Sequence, residues 1–322
     1  MPNILILGAT GYIGRNVALS LLRSGYTVYG SARSPEKANS LMKDEIIPVE
    51  GDVADASTLG NIISNNSIDV VIEATSALEK ASEMLAGVIS AANARRDALA
   101  KENAVGPKLG YIYTSGTWVH GSHPGERVSD LTPVGSSTLS PAPSSANVAW
   151  RPVLEQSILA ARDVLDVAII RPGTIYGRSS WVLDALWGPV AEAKKSGSTH
   201  SIKIPLERTS RPPFIHVDDV AAGYHAVVDR IHGGLGSWPV FDLVSETVEL
   251  PHIMEASTAA MGVNAPIEYL GHMGNPVLEA VSAVTNIDSS RAKTVLGWAP
   301  RRTGFVLRIP LYMKAWEAGK VG

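Results

Sequence analysis

One stretch of sequence decides the fold: NILILGATGYIGRNVALSLLRSG, at residues 3–25. Its run from Ile4 to Leu7 is continuously aliphatic, which is typical of a parallel strand buried on both faces. Gly8, Gly11 and Gly14 follow with the spacing G-x-x-G-x-x-G, and an apolar helical stripe comes next. Such a turn presents backbone N–H groups and the positive end of a helix to a pyrophosphate. Strand, turn and helix in this order therefore predict a dinucleotide-binding site.

The end of the second predicted strand, YTVYGSAR at residues 26–33, bears on the choice of cofactor. NAD-specific folds place an acid there, which binds the ribose hydroxyls of the adenosine. Here Ala32 takes that position and Arg33 follows it. A guanidinium suits a 2′-phosphate, and Lys37 adds charge one helical turn later. The pattern favours NADP(H) over NAD(H), the alternative being that Arg33 is an ordinary solvated residue.

Three more buried strands are predicted at VEGDVAD (residues 49–55), DVVIEATSA (69–77) and LGYIYTSGTWVHG (109–121). In such sheets, ligands bind at the carboxyl ends of the strands, so the residues that follow these strands are expected to line one site. From the adenine to the reactive end of the cofactor, these are Asp52 and Val53, then Ala74 and Thr75, then Ser115 and Thr117.

Composition excludes several classes of function. The chain has 322 residues, a formal net charge of −3 and no basic tract, so no nucleic-acid partner is expected. The absence of cysteine excludes disulfides, thiolate zinc sites and a cysteine nucleophile. We also expect no other metal site, because the eight histidines are scattered. No basic leader precedes the first strand, and the apolar run DVAII (residues 166–170) is strand-sized. We therefore expect a cytoplasmic protein with no membrane partner.

The chain resembles an extended short-chain dehydrogenase/reductase of the NAD-dependent epimerase/dehydratase superfamily. The motifs that carry the resemblance run in order over nearly the whole chain: GATGYIG, GDV, YIYTSGTWVHG, RPGTIYG (171–177), FIHVDDVAAGYHAVV (214–228) and AKTVLGWAPR (292–301). It implies an α/β fold, in which a Rossmann-like, doubly wound parallel sheet of seven strands carries a smaller, discontinuous C-terminal substrate domain. The NADP(H)-binding domain is expected to take residues 1–176 plus 210–245, and the substrate domain residues 177–209 plus 246–322.

The resemblance also implies partners and cofactor contacts. The family commonly forms homodimers through two helices, which in this chain lie around Leu85 to Leu99 and Val153 to Val164. A small-molecule substrate is expected beside the cofactor. The predicted cofactor contacts are Gly8, Thr10, Gly11, Tyr12, Ile13, Gly14, Arg33, Asp52, Val53, Ala74, Thr75, Arg151, Pro172 and Thr174.

The segment SSANVAWRPVLEQ (residues 144–156) departs from the family at its two catalytic positions. The family carries a tyrosine there as general acid/base, and four residues later a lysine that binds the nicotinamide ribose. Counting back from Glu155, which matches the family's glutamate, puts Asn147 at the tyrosine position and Arg151 at the lysine position. An amide has no proton that titrates near neutral pH, so Asn147 can orient a substrate but cannot transfer a proton. Arg151 keeps the charge and is expected to anchor the cofactor.

The family's catalytic serine is replaced as well. Gly116 matches its position best, with Ser115 and Thr117 on either side, and either hydroxyl is expected to polarise a substrate oxygen. The proton is expected from His120, Tyr176 or water, because an imidazole titrates near neutral pH and Tyr176 follows the sixth strand. The alternatives are that His120 is a surface loop histidine and that Tyr176 only packs the pocket wall.

The C-terminal part is predicted to hold helices at residues 180–197 and 250–263. Its aromatic and methionine side chains either fill a core or line an apolar substrate pocket. Together with one residue from the first domain, these are Trp118, Trp181, Trp187, Met254 and Met261.

Three further features carry weaker predictions. Arg211 either holds an anionic group of the substrate or is a surface residue. Asp218 is expected to cap the helix that follows it. The Pro- and Ser-rich segment at residues 132–146 is predicted to be a loop or a lid over the active site.

The sequence thus favours an NADP(H)-dependent oxidoreductase that acts on a carbonyl or alcohol of a small, fairly apolar metabolite. Two alternatives stay open on the same fold: a non-redox isomerase or lyase, and an NADP(H)-binding sensor without turnover.

Overall fold

The structure is a computed structural model, and it describes residues 1–75, 80–135, 138–178 and 180–320. Its strands are β1 (Asn3–Leu7), β2 (Thr27–Ala32), β3 (Ile47–Glu50), β4 (Val70–Glu73), β5 (Leu109–Thr114), β6 (Val128–Ser129), β7 (Leu165–Pro172), β8 (Thr174–Tyr176), β9 (Ile202–Ile204), β10 (Pro213–His216), β11 (Val240–Leu243), β12 (Glu246–Thr247), β13 (Ile267–Tyr269) and β14 (Ile287–Asp288).

The α-helices are α1 (Tyr12–Arg23), α2 (Pro35–Lys43), α3 (Ala56–Asn65), α4 (Ala81–Lys101), α5 (Arg151–Ala160), α6 (Asp184–Ser196), α7 (Val217–Val228), α8 (Leu250–Met261), α9 (Pro276–Val281), α10 (Ser290–Leu296) and α11 (Ile309–Ala318). Short 3₁₀ helices lie at Thr117–His120, Ala146–Val148, Ala161–Asp163, Trp181–Leu183 and Val306–Arg308. No helix of the described residues is long and apolar enough to cross a membrane.

A seven-stranded sheet forms the centre of the fold, in the order β3-β2-β1-β4-β5-β7-β11. Every neighbouring pair in it is parallel. The strand order reverses at β1, because the chain first moves outward to β2 and β3 and then returns to β4 on the other side. This is the topological switch point where such sheets bind ligands. The predicted doubly wound Rossmann-like sheet is confirmed.

Strand β1 is buried on both faces because its residues alternate between two cores. Ile4 and Ile6 pack with Val17 and Leu21 of α1 on one face of the sheet. The side chains of Leu5 and Leu7 enter the core on the other face, which α3, α4 and α5 cover. A continuous aliphatic run is therefore required at this position.

A third core lies among α6, α8 and α11 and contains Trp187, Phe214, Met254, Phe305 and Trp316. The helices predicted at residues 180–197 and 250–263 are confirmed as α6 and α8. The division of the chain into two domains at the expected boundaries stays a prediction.

Candidate active site

A cleft of about 1080 Å³ opens at the carboxyl edge of the central sheet. This is at the upper end of the volumes of small-molecule sites, so it has room for a dinucleotide together with a substrate. Of the predicted cofactor contacts, thirteen line it: Gly8, Thr10, Gly11, Tyr12, Ile13, Arg33, Asp52, Val53, Ala74, Thr75, Arg151, Pro172 and Thr174.

The glycine turn shapes the middle of the cleft. Gly8 has a φ of +86°, and a Cβ on it would lie 2.6 Å from the carbonyl oxygen of Ala74. Gly14 does not line the cleft, but a Cβ on it would lie 2.2 Å from the carbonyl oxygen of Gly8. Its role is therefore to let α1 pack directly on the turn. Gly11 caps α1 without a side-chain hydrogen bond, so N–H groups of the first turn remain available to a pyrophosphate.

At the adenosine end, the rim carries the side chains of Ser31, Arg33 and Lys37. Arg33 is exposed, and among the described residues it has no ion-pair partner. Asp52, at the opposite wall, lies 3.6 Å from Nζ of Lys80. An exposed arginine without an ion-pair partner among the described residues fits an anionic group of a ligand.

At the other end, four predicted residues come together: Ser115, Thr117, Asn147 and Arg151 all line the cleft. Ser115 Oγ, Asn147 Oδ1 and Arg151 Nε are buried without a hydrogen-bond partner, as is Thr174 Oγ1 beside them. Buried polar atoms without a partner are uncommon in native proteins. Their concentration here fits a ligand that supplies the missing hydrogen bonds.

Two departures from the family pattern touch each other. A Cβ on Gly116 would lie 3.1 Å from Nη1 of Arg151, so the guanidinium rests against the backbone where the family has its serine. A serine at this position would crowd the arginine. Glycine at position 116 therefore leaves room for the guanidinium of Arg151.

Neither predicted proton donor reaches the cleft. His120 is 3% exposed, and its Nε2 donates a hydrogen bond of 2.8 Å to Asp242 Oδ2. Tyr176 is completely buried in the third core, and its hydroxyl donates to the carbonyl oxygen of Arg302. Burial raises the pKa of Tyr176 far above its usual value. The expectation that either residue supplies the proton is corrected, because both are turned inward to other partners.

The loop at residues 132–146 also differs from the prediction. None of its described residues lines the cleft. Two hydrogen bonds hold its end beside the first 3₁₀ helix. Ser144 Oγ donates one of 2.6 Å to the carbonyl oxygen of Val119, and the backbone N–H of Ser145 donates one of 3.0 Å to the carbonyl oxygen of Trp118. Ser136 and Ser137 lie outside the described residues.

Of the two alternatives for Arg211, the structure agrees with the surface residue: it is exposed, lies away from the cleft, and has Nε 3.9 Å from Glu249 Oε1. The expectation that Asp218 caps the helix after it is corrected. The cap of α7 is His216, whose Nδ1 accepts the backbone N–H of Asp218, while Asp218 itself pairs with Arg178 at 2.7 Å.

The aromatic residues divide between core and cleft. Trp187, Met254 and Met261 belong to the third core. Trp118 and Trp181 line the cleft, and Trp181 is 61% exposed there.

A buried ionic cluster holds α5, and with it Arg151, against the sheet. Arg171 on β7 donates to both carboxylate oxygens of Glu155, the Nε contact being 3.0 Å. Its Nη1 also lies 3.8 Å from Asp242, the acceptor of His120. His120 is thus part of the support of the reactive end.

Sequence reasoning missed Glu73, the last residue of β4. Its side chain is 3% exposed and accepts a hydrogen bond of 2.8 Å from Thr75 Oγ1, a residue of the cleft wall. The signal was an acid at the end of the otherwise aliphatic strand VVIE, all four residues of which are buried. A buried carboxyl group without a salt-bridge partner among the described residues requires a reason.

Comparisons with known proteins agree with the fold and the cleft. The model of the NAD dependent epimerase/dehydratase family matches residues 4–237. A UDP-glucose 4-epimerase of Neisseria meningitidis is 23% identical over 94% of this chain and 94% of its own. Among solved structures, a dTDP-glucose 4,6-dehydratase from Bacillus anthracis in complex with NAD is similar with a TM-score of 0.73 and 17% identity, over 100% of this chain and 98% of that one. A UDP-glucose 4-epimerase from Bifidobacterium longum in complex with NAD⁺ and UDP follows with a TM-score of 0.64 and 21% identity, over 98% of both chains.

The chain therefore belongs to the NAD-dependent epimerase/dehydratase family, and it is an enzyme of the extended short-chain dehydrogenase/reductase type. The family uses a nicotinamide dinucleotide, which the glycine turn and the unpaired polar atoms of the cleft fit.

Proposed function

We propose that the protein is an NADP(H)-dependent oxidoreductase acting on a carbonyl or alcohol group of a small, fairly apolar metabolite. The observation that carries the choice of cofactor is Arg33, an exposed cation without an ion-pair partner among the described residues, at the adenosine rim of the cleft. An NAD-specific site has an acid at the end of this strand instead. Arg33, with Lys37 beside it, suits the 2′-phosphate that distinguishes the two cofactors.

The other residues of the cleft are assigned to cofactor binding and to orientation of the substrate. The turn from Gly8 to Gly11 holds the pyrophosphate, and Arg151 anchors the nicotinamide ribose. A bound nicotinamide supplies hydride chemistry. Ser115 or Thr117 orients the substrate oxygen, since both side chains line the reactive end and the hydroxyl oxygen of Ser115 is buried without a partner.

An apolar rim supports a fairly apolar substrate. Trp118, Trp181, Val182 and Val277 line the cleft, of which Trp181 is 61% and Val277 37% exposed. Exposed apolar side chains around a concave site are typical of surfaces that bind apolar groups.

The cofactor assignment is tested by affinity. NADPH is expected to bind more tightly than NADH by about 1.5–3 kcal/mol, the range of charge-assisted hydrogen bonds. Arg33→Ala should remove most of this difference and leave NADH binding nearly unchanged. Arg23→Ala, on the exposed end of α1 outside the cleft, is the matched control and should leave both affinities unchanged. Equal affinities of the unmutated protein for NADPH and NADH would overturn the assignment.

The reaction class is tested by a screen of aldehydes, ketones and enones with NADPH, followed at the nicotinamide absorbance. Turnover is expected with apolar carbonyl compounds. Tight cofactor binding with no turnover of any compound would indicate a sensor instead.

An isomerase that leaves the nicotinamide without net change is the second candidate, because the UDP-glucose 4-epimerase of N. meningitidis is similar over 94% of both chains. Conversion of a substrate without net change in the nicotinamide would identify it.

We further propose a homodimer through α4 and α5, and sedimentation of the pure protein tests this directly.

A further inference from the structure

The cleft has no side chain of its own that is placed to transfer a proton at the reactive end, as far as the described residues go. Its ionisable groups at the adenosine end are Glu36, Lys37, Asp52 and Lys80. Arg151 stays charged at any pH of interest. Tyr12 donates its hydroxyl to the carbonyl oxygen of Gly177 at 2.7 Å, and burial raises its pKa far above the usual value. Apart from water, a proton for this end has to come from a side chain behind the cleft wall.

Glu73 is the group behind the wall. It ends β4, one residue before Ala74 and two before Thr75, both of which line the cleft. Thr75 Oγ1 lies 2.8 Å from Glu73 Oε1. The other carboxyl oxygen, Oε2, is buried without a hydrogen-bond partner. One oxygen of the carboxyl is thus connected to the cleft through a single hydroxyl, and the other is buried with no such connection.

The surroundings favour the protonated form of this carboxyl. Burial raises the pKa of Glu73 to about 7, against the hydrogen bond of Thr75 and the positive charge of Arg151, which both lower it. The remaining ionisable groups that act on it are the buried tyrosines Tyr111 and Tyr113 of β5 and Tyr224 of α7. Burial raises the pKa of all three, so among the described residues the positive charge of Arg151 is the one that stabilises the ionised form of Glu73.

We propose that Glu73 and Thr75 form a proton relay, in which Glu73 stores the proton and Thr75 passes it into the cleft. When the carboxyl is protonated, the Thr75 hydroxyl turns so that its oxygen accepts from the Glu73 O–H instead of donating to it. The Glu73 O–H bond then breaks and its proton joins Thr75 Oγ, while the proton that Thr75 carried moves to an oxygen atom in the cleft. The net change is one proton moved from the carboxyl to the ligand. The carboxylate that remains is stabilised by Arg151, and the reverse sequence serves alcohol oxidation. This role rests on the proposed function, and it replaces the acid that Asn147 cannot supply.

The first experiment uses the protein without any substrate. Infrared difference spectra across neutral pH should show a protonated carboxyl group that titrates near pH 7. Part of this signal should vanish in Glu73→Gln and persist in Glu50→Gln, the same change at the exposed carboxyl end of β3. Asp130, whose pKa burial also raises to about 7, contributes the remaining signal and is subtracted with Asp130→Asn. A fully ionised Glu73 below pH 6 would overturn the proposal.

The second experiment measures turnover on a carbonyl compound found with NADPH. Glu73→Gln keeps the size and the Thr75 hydrogen bond, yet kcat should fall by about 10²–10⁴-fold, the range of general acid catalysis. The pH dependence near 7 should disappear, while the NADPH affinity stays unchanged. Thr75→Val should lower kcat by the same factor as Glu73→Gln but retain the infrared signal of Glu73. Thr75→Ser, which keeps a hydroxyl at this position, should retain the activity that Thr75→Val loses. Glu50→Gln should behave as the unmutated protein.

The outcomes separate this relay from the proposed function. Turnover with an unchanged pH profile in Glu73→Gln would remove the relay and leave the oxidoreductase standing. If no carbonyl compound reacts, the relay is tested by measuring the protons that the protein exchanges with the buffer when NADPH binds. Calorimetry in two buffers near pH 7 should detect protons exchanged by the unmutated protein beyond those exchanged by Glu73→Gln. Identical exchange would overturn the relay independently of any activity.

Discussion

The two ends of the cleft differ in how closely they follow the family to which the chain belongs. At the pyrophosphate end, three glycines occupy positions where a Cβ would meet backbone atoms at 2.2–3.1 Å. At the reactive end, Asn147, Arg151 and Gly116 are the residues predicted to stand at the family's tyrosine, lysine and serine positions. The difference follows from what each end must do. Packing of backbone on backbone tolerates no substitution, whereas a proton donor need only stand within reach of the ligand and can move to another strand.

The largest effect is expected where the reactive end is anchored to the sheet. Arg171→Ala leaves Glu155 buried without its partner, which should lower the free energy of unfolding by about 3–5 kcal/mol. Denaturant unfolding measures this change. Arg171→Met combined with Glu155→Leu removes both charges and should cost less than the single change. If the single change were no worse than the double, the ion pair would not be what holds α5.

The stability of the protein should also depend on the proton of Glu73. In the unfolded chain this carboxyl ionises at its ordinary pKa of 4.5, whereas burial keeps it protonated up to about pH 7 in the fold. The folded state binds more protons between these values, so unfolding free energy falls as pH rises from 4.5 to 7, by about 3 kcal/mol in total. Glu73→Gln should remove this loss in denaturant titrations at several pH values. Asp130, Asp219 and His216, whose pKa values burial also shifts, account for pH dependence that remains. An unaltered profile would show that Glu73 is already ionised in the fold.

The pyrophosphate end is tested with a single methyl group. Gly14→Ala would place a Cβ 2.2 Å from the carbonyl oxygen of Gly8, which should cost about 1–3 kcal/mol in stability and weaken NADPH binding. Gly60→Ala in α3 is the matched control, because nothing lies within 4 Å of its Cβ position. This control should gain about 0.5–1 kcal/mol from the helix propensity of alanine. Equal thermal stability of the two variants would mean that the turn is not packed as tightly as the structure indicates.

The smallest effect is expected from a substitution of Gly116, a glycine that lies at the reactive end of the cleft. Gly116→Ser restores the family's serine and brings a Cβ to 3.1 Å from Nη1 of Arg151. The flexible arginine can turn aside at a cost of about 0.5–1.5 kcal/mol, seen as weaker NADPH binding. Combining it with Arg151→Lys should recover part of this loss, because lysine is slimmer. Strict additivity of the two changes in a double-mutant cycle would show that the positions are not coupled.

Local pattern was sufficient for the scaffold. The aliphatic run from Ile4 to Leu7, the three glycines and the strand-helix alternation predicted the sheet, since each depends on neighbours within a few residues. The place of Arg33 at the adenosine rim followed from its position after β2, because in a parallel sheet the end of a strand marks the ligand edge.

The tertiary structure alone decided which polar side chains face the cleft. His120 and Tyr176 stand near the right strand ends in sequence, but Asp242 and the aromatic core, distant in the chain, turn them inward. In the sequence, Glu73 looks like an ordinary polar residue at the end of a strand. Its proposed role becomes visible only with its spatial neighbours Thr75, Tyr111 and Arg151. Burial and hydrogen bonding determine whether a carboxyl stores a proton, and both are properties of segments that meet only in the folded chain.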